Sequence, residues 1–167
     1  DQARQIQERI QALQQRTSGE NVFHLRNAMQ QVMMEKVGIF RHEQELQAAL
    51  DRLGELRERV DRLALQTSGR GPCPEVAAAL RLPGMLRLAV CTAYGALQRR
   101  ESRGAHARED YPARNDRDWL VRTLAFWPQG GEKPVLEYEP NTSVVELPPG
   151  DRGYGGAQVI SADKDGS

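Results

Sequence analysis

Aromatic residues are scarce in this chain, 5% of 167 residues, so any core has to be built from Leu, Ala, Val and Met. Net charge is missing as well. The 23 basic and 23 acidic side chains cancel, which removes a general attraction to nucleic acid or anionic membrane. Cysteine is limited to Cys73 and Cys91, too few for a disulfide framework, and Cys91 sits in an apolar helical pattern. A reduced, intracellular setting is therefore expected. No apolar run approaches the roughly 20 residues that span a bilayer, and no basic-then-apolar leader marks the chain for export.

The signatures of catalysis are also missing. The three histidines, His24, His42 and His106, do not assemble with a nucleophile and an orienting acid in any recognisable pattern. No HExxH, paired CxxC or Cys/His zinc spacing occurs; His106 with Asp110 offers two ligands without an evident third. TSGRGPCP (67–74) has glycines and an arginine but no Walker Lys-Ser/Thr. GYGGA (153–157) lacks the strand before it and the helix after it that a dinucleotide loop needs. No catalytic, cofactor-binding or metal residue is assigned.

What the chain does have is helical rhythm. Ala3, Ile6, Ile10 and Leu13 form one stripe, ended by TSG (17–19). A second helix is predicted from near Asn21, with Val22, Leu25, Met29, Val32, Met33 and Val37 inward. GIFR (38–41) interrupts, and Leu46, Leu50, Leu53, Leu56, Val60 and Leu63 then give the clearest amphipathic stripe. Its other face carries opposite-charge pairs such as Glu55–Arg59 and Glu58–Arg62. From Glu75 to Arg100 runs an Ala/Leu-rich segment. Pro83-Gly84 is expected to kink or break it, leaving Met85 to Arg100 as the main helix. Trp119–Trp127 and Val135–Tyr138, joined by PQGGEKP, predict a β-hairpin, and the Pro/Gly-rich remainder an extended tail. The fold class is thus mainly α: an antiparallel bundle of three to four helices with a short C-terminal β-hairpin and an extended tail. Residues 1–118 form the bundle and 119–167 the hairpin and tail. The opening DQARQIQERI, already helical and without Met, reads as a segment of a larger protein.

The densest stretch is RRESRGAHAREDYPARNDRD (99–118), with six arginines against five acids. An RNA-binding arginine segment would be strongly basic and interleaved with aromatics; this one is near neutral and offers only Tyr111. Nearly every arginine has an acid within four residues. The pattern predicts a structural joint of ion pairs and guanidinium-to-backbone bonds closing a long helix. Gly104 is expected to supply a left-handed cap, with Arg99, Arg100 and Arg103 suiting the helix dipole. The candidate structural and domain-contact residues are Arg99, Glu101, Ser102, Arg103, Gly104, His106, Arg108 and Asp110.

ESRGAHAREDYPARNDRDWL resembles the signature segment in the C-terminal helical domain of succinate dehydrogenase and fumarate reductase flavoprotein subunits. VGIFR with its Leu-striped helix, MLRLAVCTAYGALQRRESRG, LEYEP and LPPGDRGYGG extend the resemblance over nearly the whole chain, closest to the fumarate reductase branch. L-aspartate oxidases and adenylylsulfate reductases share a similar helical domain. Arg122 stands where the family commonly has histidine, and Ala107 where a larger residue is usual.

The resemblance implies a parent enzyme interconverting fumarate and succinate through covalently attached FAD and passing electrons to or from an iron-sulfur subunit. It would be cytoplasmic, held at the inner face of the cell membrane through partner subunits, with no membrane insertion or nucleic-acid binding of its own. The flavin-linking and substrate-binding residues of that family lie upstream, in the flavin and capping domains, so none maps onto this chain. FAD is expected in the parent protein and not on this segment, which alone would be inactive. The competing readings are a free-standing helical interaction module and the C-terminal domain of an L-aspartate oxidase.

Overall fold

A computed structural model describes residues 2–67, 73–140 and 159–160. Four helices carry the core: α1 (Gln2–Gln15), α2 (Val22–Lys36), α3 (Glu43–Arg59) and α4 (Pro74–Gln98), with a two-residue strand β1 (Phe40–Arg41) between α2 and α3. Asn21 starts α2 as expected, its side-chain oxygen accepting from the amides of Phe23 (2.8 Å) and His24 (3.3 Å). Val22, Leu25, Met29 and Val32, spaced three and four apart, are its buried face. His42 caps α3 by accepting from the Gln44 amide at 3.3 Å. Leu46, Ala49, Leu53 and Leu56 of α3 lose all solvent contact. In α1 only Leu13 of the expected stripe is buried, and Ile6 stays 49% exposed.

The proline does not break α4. The helix runs unbroken from Pro74 to Gln98 with Pro83 inside it. Proline cannot donate to the carbonyl one turn back, yet Leu82 and Leu86 on either side are buried, and their packing outweighs the lost bond. Val90 and the alanines Ala79, Ala89, Ala93 and Ala96 share the buried face, the alanines small enough for α2 and α3 to lie close against it. By length and composition α4 also qualifies as a bilayer-crossing helix, with mean hydropathy 1.4, which the sequence reading did not anticipate. Here it is the helix that α2 and α3 share in the core.

A clip closes the bottom of the bundle. Glu20 donates its amide to Arg62 O (2.8 Å) and accepts from Ala64 (3.1 Å). Its carboxylate takes a two-pronged contact from Arg59 at 2.7 and 2.8 Å. Gly19 is required beside it, since a Cβ there would come within 2.2 Å of Arg62 O. Buried Glu75, in the first turn of α4, accepts from the amides of Gln66 and Thr67 (3.0 Å each) and from the Thr67 hydroxyl (2.7 Å).

After α4 the chain forms short pieces: β2 (Ala107–Arg108), β3 (Arg114–Asn115), α5 (Asp116–Trp119), the hairpin β4 (Val121–Phe126) and β5 (Val135–Pro140), and β6 (Val159–Ile160). β2 pairs parallel with β1, and β6 pairs parallel with β3. The hairpin is antiparallel, from Val121↔Pro140 to Phe126↔Val135. It is shorter at its start than the sequence suggested, because Asn115 caps Asp118 N at 3.1 Å and draws Trp119 into a helical turn. Trp127 anchors the hairpin to the bundle beneath the guanidinium groups of Arg57 (4.6 Å) and Arg87 (5.8 Å). Residues 68–72, GYGGA, LPPGDRGYGG and most of the expected tail lie outside the described residues.

Candidate functional site

The residues singled out between 99 and 110 come together in space. Glu101 is at the centre and has no solvent exposure. One of its oxygens accepts from Arg99 Nη1 (2.6 Å) and Arg103 Nε (2.8 Å). The other accepts from Arg103 Nη2 and from the Asn115 amide, both at 2.9 Å. Arg103 also reaches Asp116 at 2.6 Å, and Arg114 grips the same carboxylate at 2.8 and 2.5 Å. A buried carboxylate is tolerable only when its acceptor positions are filled this way.

Arg108 is the second centre, 1% exposed. Its Nε and Nη2 clasp both oxygens of Asp110 at 2.7 Å. Nη1 donates to the carbonyls of Ala96 (3.0 Å) and Leu97 (2.9 Å) in the last turn of α4 and of Arg99 (3.2 Å) just beyond it, where helix carbonyls lack partners within the helix. This corrects the expectation for the helix end. The cation capping α4 is Arg108, arriving from downstream, while Arg99 turns away to the carbonyls of Trp119 (2.9 Å) and Val121 (2.7 Å). Gly104 is left-handed at φ 60°, but it serves the turn in which Arg103 and His106 exchange backbone bonds of 2.8 and 3.0 Å. The residue after Gln98 is extended Arg99, not a glycine cap.

The joint reaches two more helices. Asp110 accepts from the Glu43 amide at the start of α3 (3.0 Å), where a carboxylate suits the helix dipole. Ser102 Oγ accepts from the Arg108 amide (2.8 Å) and donates to Tyr111 O (2.9 Å), fixing the loop on itself. Arg41 donates to Gly38 O (2.7 Å) and Val37 O (3.3 Å) just past α2, and its Nη1 lies 2.5 Å from His106 Nδ1. His106 Nε2 lies 3.2 Å from Arg99 O. With a carbonyl on one nitrogen and a guanidinium on the other, the imidazole is neutral and protonated at Nε2. Sequence reasoning missed Arg41, Arg114, Asn115 and Asp116. Only the acid–arginine spacing within 114–118 hinted at the last three, and Arg41 is 65 residues from the histidine it meets.

The electrostatics match the geometry. Asp110 is held down to about 2, first by the Arg108 fork, with the Glu43 amide assisting against burial. Asp116 is lowered chiefly by Arg114. Burial pushes His106 down, and the charges of Arg41, Arg108 and Arg99 act the same way. For Arg103, burial is outweighed by Glu101 and Asp116, and the guanidinium is held more firmly protonated. Among the described residues no group of three His, Cys, Asp or Glu is placed to hold a metal ion. A groove of about 1160 Å³ runs along the α3–α4 seam under residues 132–134, and none of the eight candidate residues lines it. The arrangement holds backbone; its donors are committed to acceptors in the same chain.

Comparisons with known proteins identify the family. Residues 26–154 match the family model described as fumarate reductase flavoprotein C-term. The fumarate reductase flavoprotein subunit of Helicobacter pylori strain J99 is 45% identical over 138 residues, covering 81% of this chain and 19% of that protein. The succinate dehydrogenase flavoprotein subunit of Rickettsia bellii is 36% identical over 140 residues, covering 80% of this chain and 23% of that one. An E. coli quinol fumarate reductase FrdA structure superimposes with a TM-score of 0.81 at 35% identity, over 93% of this chain and 26% of that chain. The chain thus spans about a fifth to a quarter of the length of these relatives.

Proposed function

Because this chain belongs to the family of fumarate reductase flavoprotein C-terminal domains, we propose that it is the bracing domain of a subunit that interconverts fumarate and succinate. In this reading FAD sits in the rest of the subunit. In support of that placement, Arg99, Arg103, Arg108 and Arg114 are engaged by carboxylates and carbonyls of this chain, and among the described residues no glycine-rich loop opens a helix after a strand. The upstream flavin and capping domains would be the direct partners. Electrons would pass to or from an iron-sulfur subunit, in a complex peripheral to the inner face of the cell membrane. Residues 1–118 would brace that assembly, and 119–167 would ride on them as hairpin and tail.

The observation that carries the bracing role is the joint itself. One network closes the end of α4, meets the start of α3, holds the end of α2 and reaches the hairpin. Such a joint fixes the relative positions of elements and supplies no reacting atom. The test is expression of the complete reading frame beside these 167 residues alone. The complete subunit should be yellow and should reduce fumarate with an artificial donor; the short chain should be colourless and inactive. A flavin-binding, active short chain would overturn the reading, as would a complete subunit without flavin.

A further inference from the structure

Glu101, Asp110 and Asp116 each meet an arginine, whereas His106 meets a guanidinium and a carbonyl. Its Nε2–H donates to Arg99 O (3.2 Å), and its Nδ1 accepts from Arg41 Nη1 (2.5 Å). The charges bearing on the ring are Arg41 from β1, Arg108 from β2 and Arg99 from the end of α4, all positive. The joint's carboxylates are already taken. Glu101 is held by Arg99 and Arg103, Asp116 by Arg103 and Arg114, and Asp110 by Arg108 and the Glu43 amide of α3. Between α2 and α3, Lys36 and Glu45 neutralise each other at 2.5 Å, and the His42 ring is committed to the Gln44 amide.

A proton on Nδ1 turns that acceptor into a donor and sets two N–H groups, and two cations, face to face. Neither side turns away freely. The His106 backbone is bonded both ways to Arg103 (2.8 and 3.0 Å), and the Arg41 side chain holds Gly38 O and Val37 O. The weakest link between them is the pairing of β1 with β2, two residues long. It is joined by Ala107 N to Ile39 O (3.1 Å) and Glu109 N to Arg41 O (2.9 Å). We propose that His106 and Arg41 form an acid-operated latch: uptake of one proton at Nδ1 parts β1 from β2 and releases residues 38–41 from the joint, while the bundle core stays folded. The latch is built from this chain's own residues and stands apart from the functional reading above.

Amide hydrogen exchange of the complete subunit between pH about 8 and about 5, corrected for the intrinsic pH dependence of exchange, tests it. Protection of Ala107 and Glu109 should fall about tenfold per pH unit below pH about 6.5, because opening takes up one proton on an imidazole freed of its neighbours. Both amides should exchange at least about a hundredfold faster than that of Leu53 in the α3 core at every pH, since the latch opens without the bundle. In His106→Gln the protection of Ala107 and Glu109 should no longer depend on pH, Asp110 titrating well below this range. Flat protection in the wild type, a slope that survives in the variant, or exchange no faster than at Leu53 would each overturn the proposal. If the variant fails to fold, the wild-type slope and the comparison with Leu53 still decide it.

Discussion

Glu101 and Arg108 are the two residues on which the joint turns, and each has its charge neutralised only by neighbours. Removing the Glu101 carboxylate leaves Arg99 and Arg103 facing each other in a buried site. Glu101→Ala should cost on the order of 3–5 kcal/mol, read as a lower urea midpoint. Arg108→Lys keeps the charge but loses the planar fork that serves Asp110 and three carbonyls at once. A loss of roughly 2–3 kcal/mol is expected from the same measurement. Acid should act on the same joint. Asp110 titrates near 2 when folded and near 3.9 when unfolded, so its stabilisation is complete above pH about 5 and is lost as pH falls through 4 toward 2, a change of about 2–3 kcal/mol. Urea midpoints measured across that range should fall, and Asp110→Asn should flatten part of the slope. His106, also lowered on folding, adds loss of the same sign beginning below pH about 6.5. The near-neutral charge balance of residues 99–118 pointed to interlocked pairs, but it could not assign partners. That Arg108 caps α4 and Arg99 serves the hairpin depends on where the loop turns, and Gly104 with Ser102 decides that in three dimensions.

At the scale of elements, apolar periodicity was enough to read α2 and α3, whose buried positions repeat at three- and four-residue spacing, and two short extended runs joined by the turn residues PQGGEKP marked the hairpin. It failed at Pro83, where the local cost of proline argued for a break and the burial of Leu82 and Leu86 carries the helix through. Pro83→Ala restores a donor in an intact helix and should raise the thermal midpoint, by about 1–3 kcal/mol in stability terms. Gly19→Ala should do the reverse. Its Cβ would meet the Arg62 carbonyl at 2.2 Å, forcing open the Glu20–Ala64 clip, and amide exchange at Glu20 and Ala64 should accelerate. The anchor at Trp127 was invisible in the sequence because its arginines come from two helices, 70 and 40 residues earlier.

For the whole molecule, the resemblance carried by ESRGAHAREDYP was the most informative feature of the sequence, and the family match and superposition agree with it. The physical role is more specific than the family name: one ion-paired network sets where three helix ends and a hairpin lie. Such a network should affect assembly and stability without touching turnover by what has assembled. The most direct measurement is made on the complete subunit carrying Arg103→Ala or Arg108→Ala, following the melting temperature, flavin content and fumarate reduction per bound flavin. The melting temperature or flavin content should fall while turnover per flavin is unchanged. Unchanged melting and flavin content with a fall in turnover per flavin alone would contradict the account.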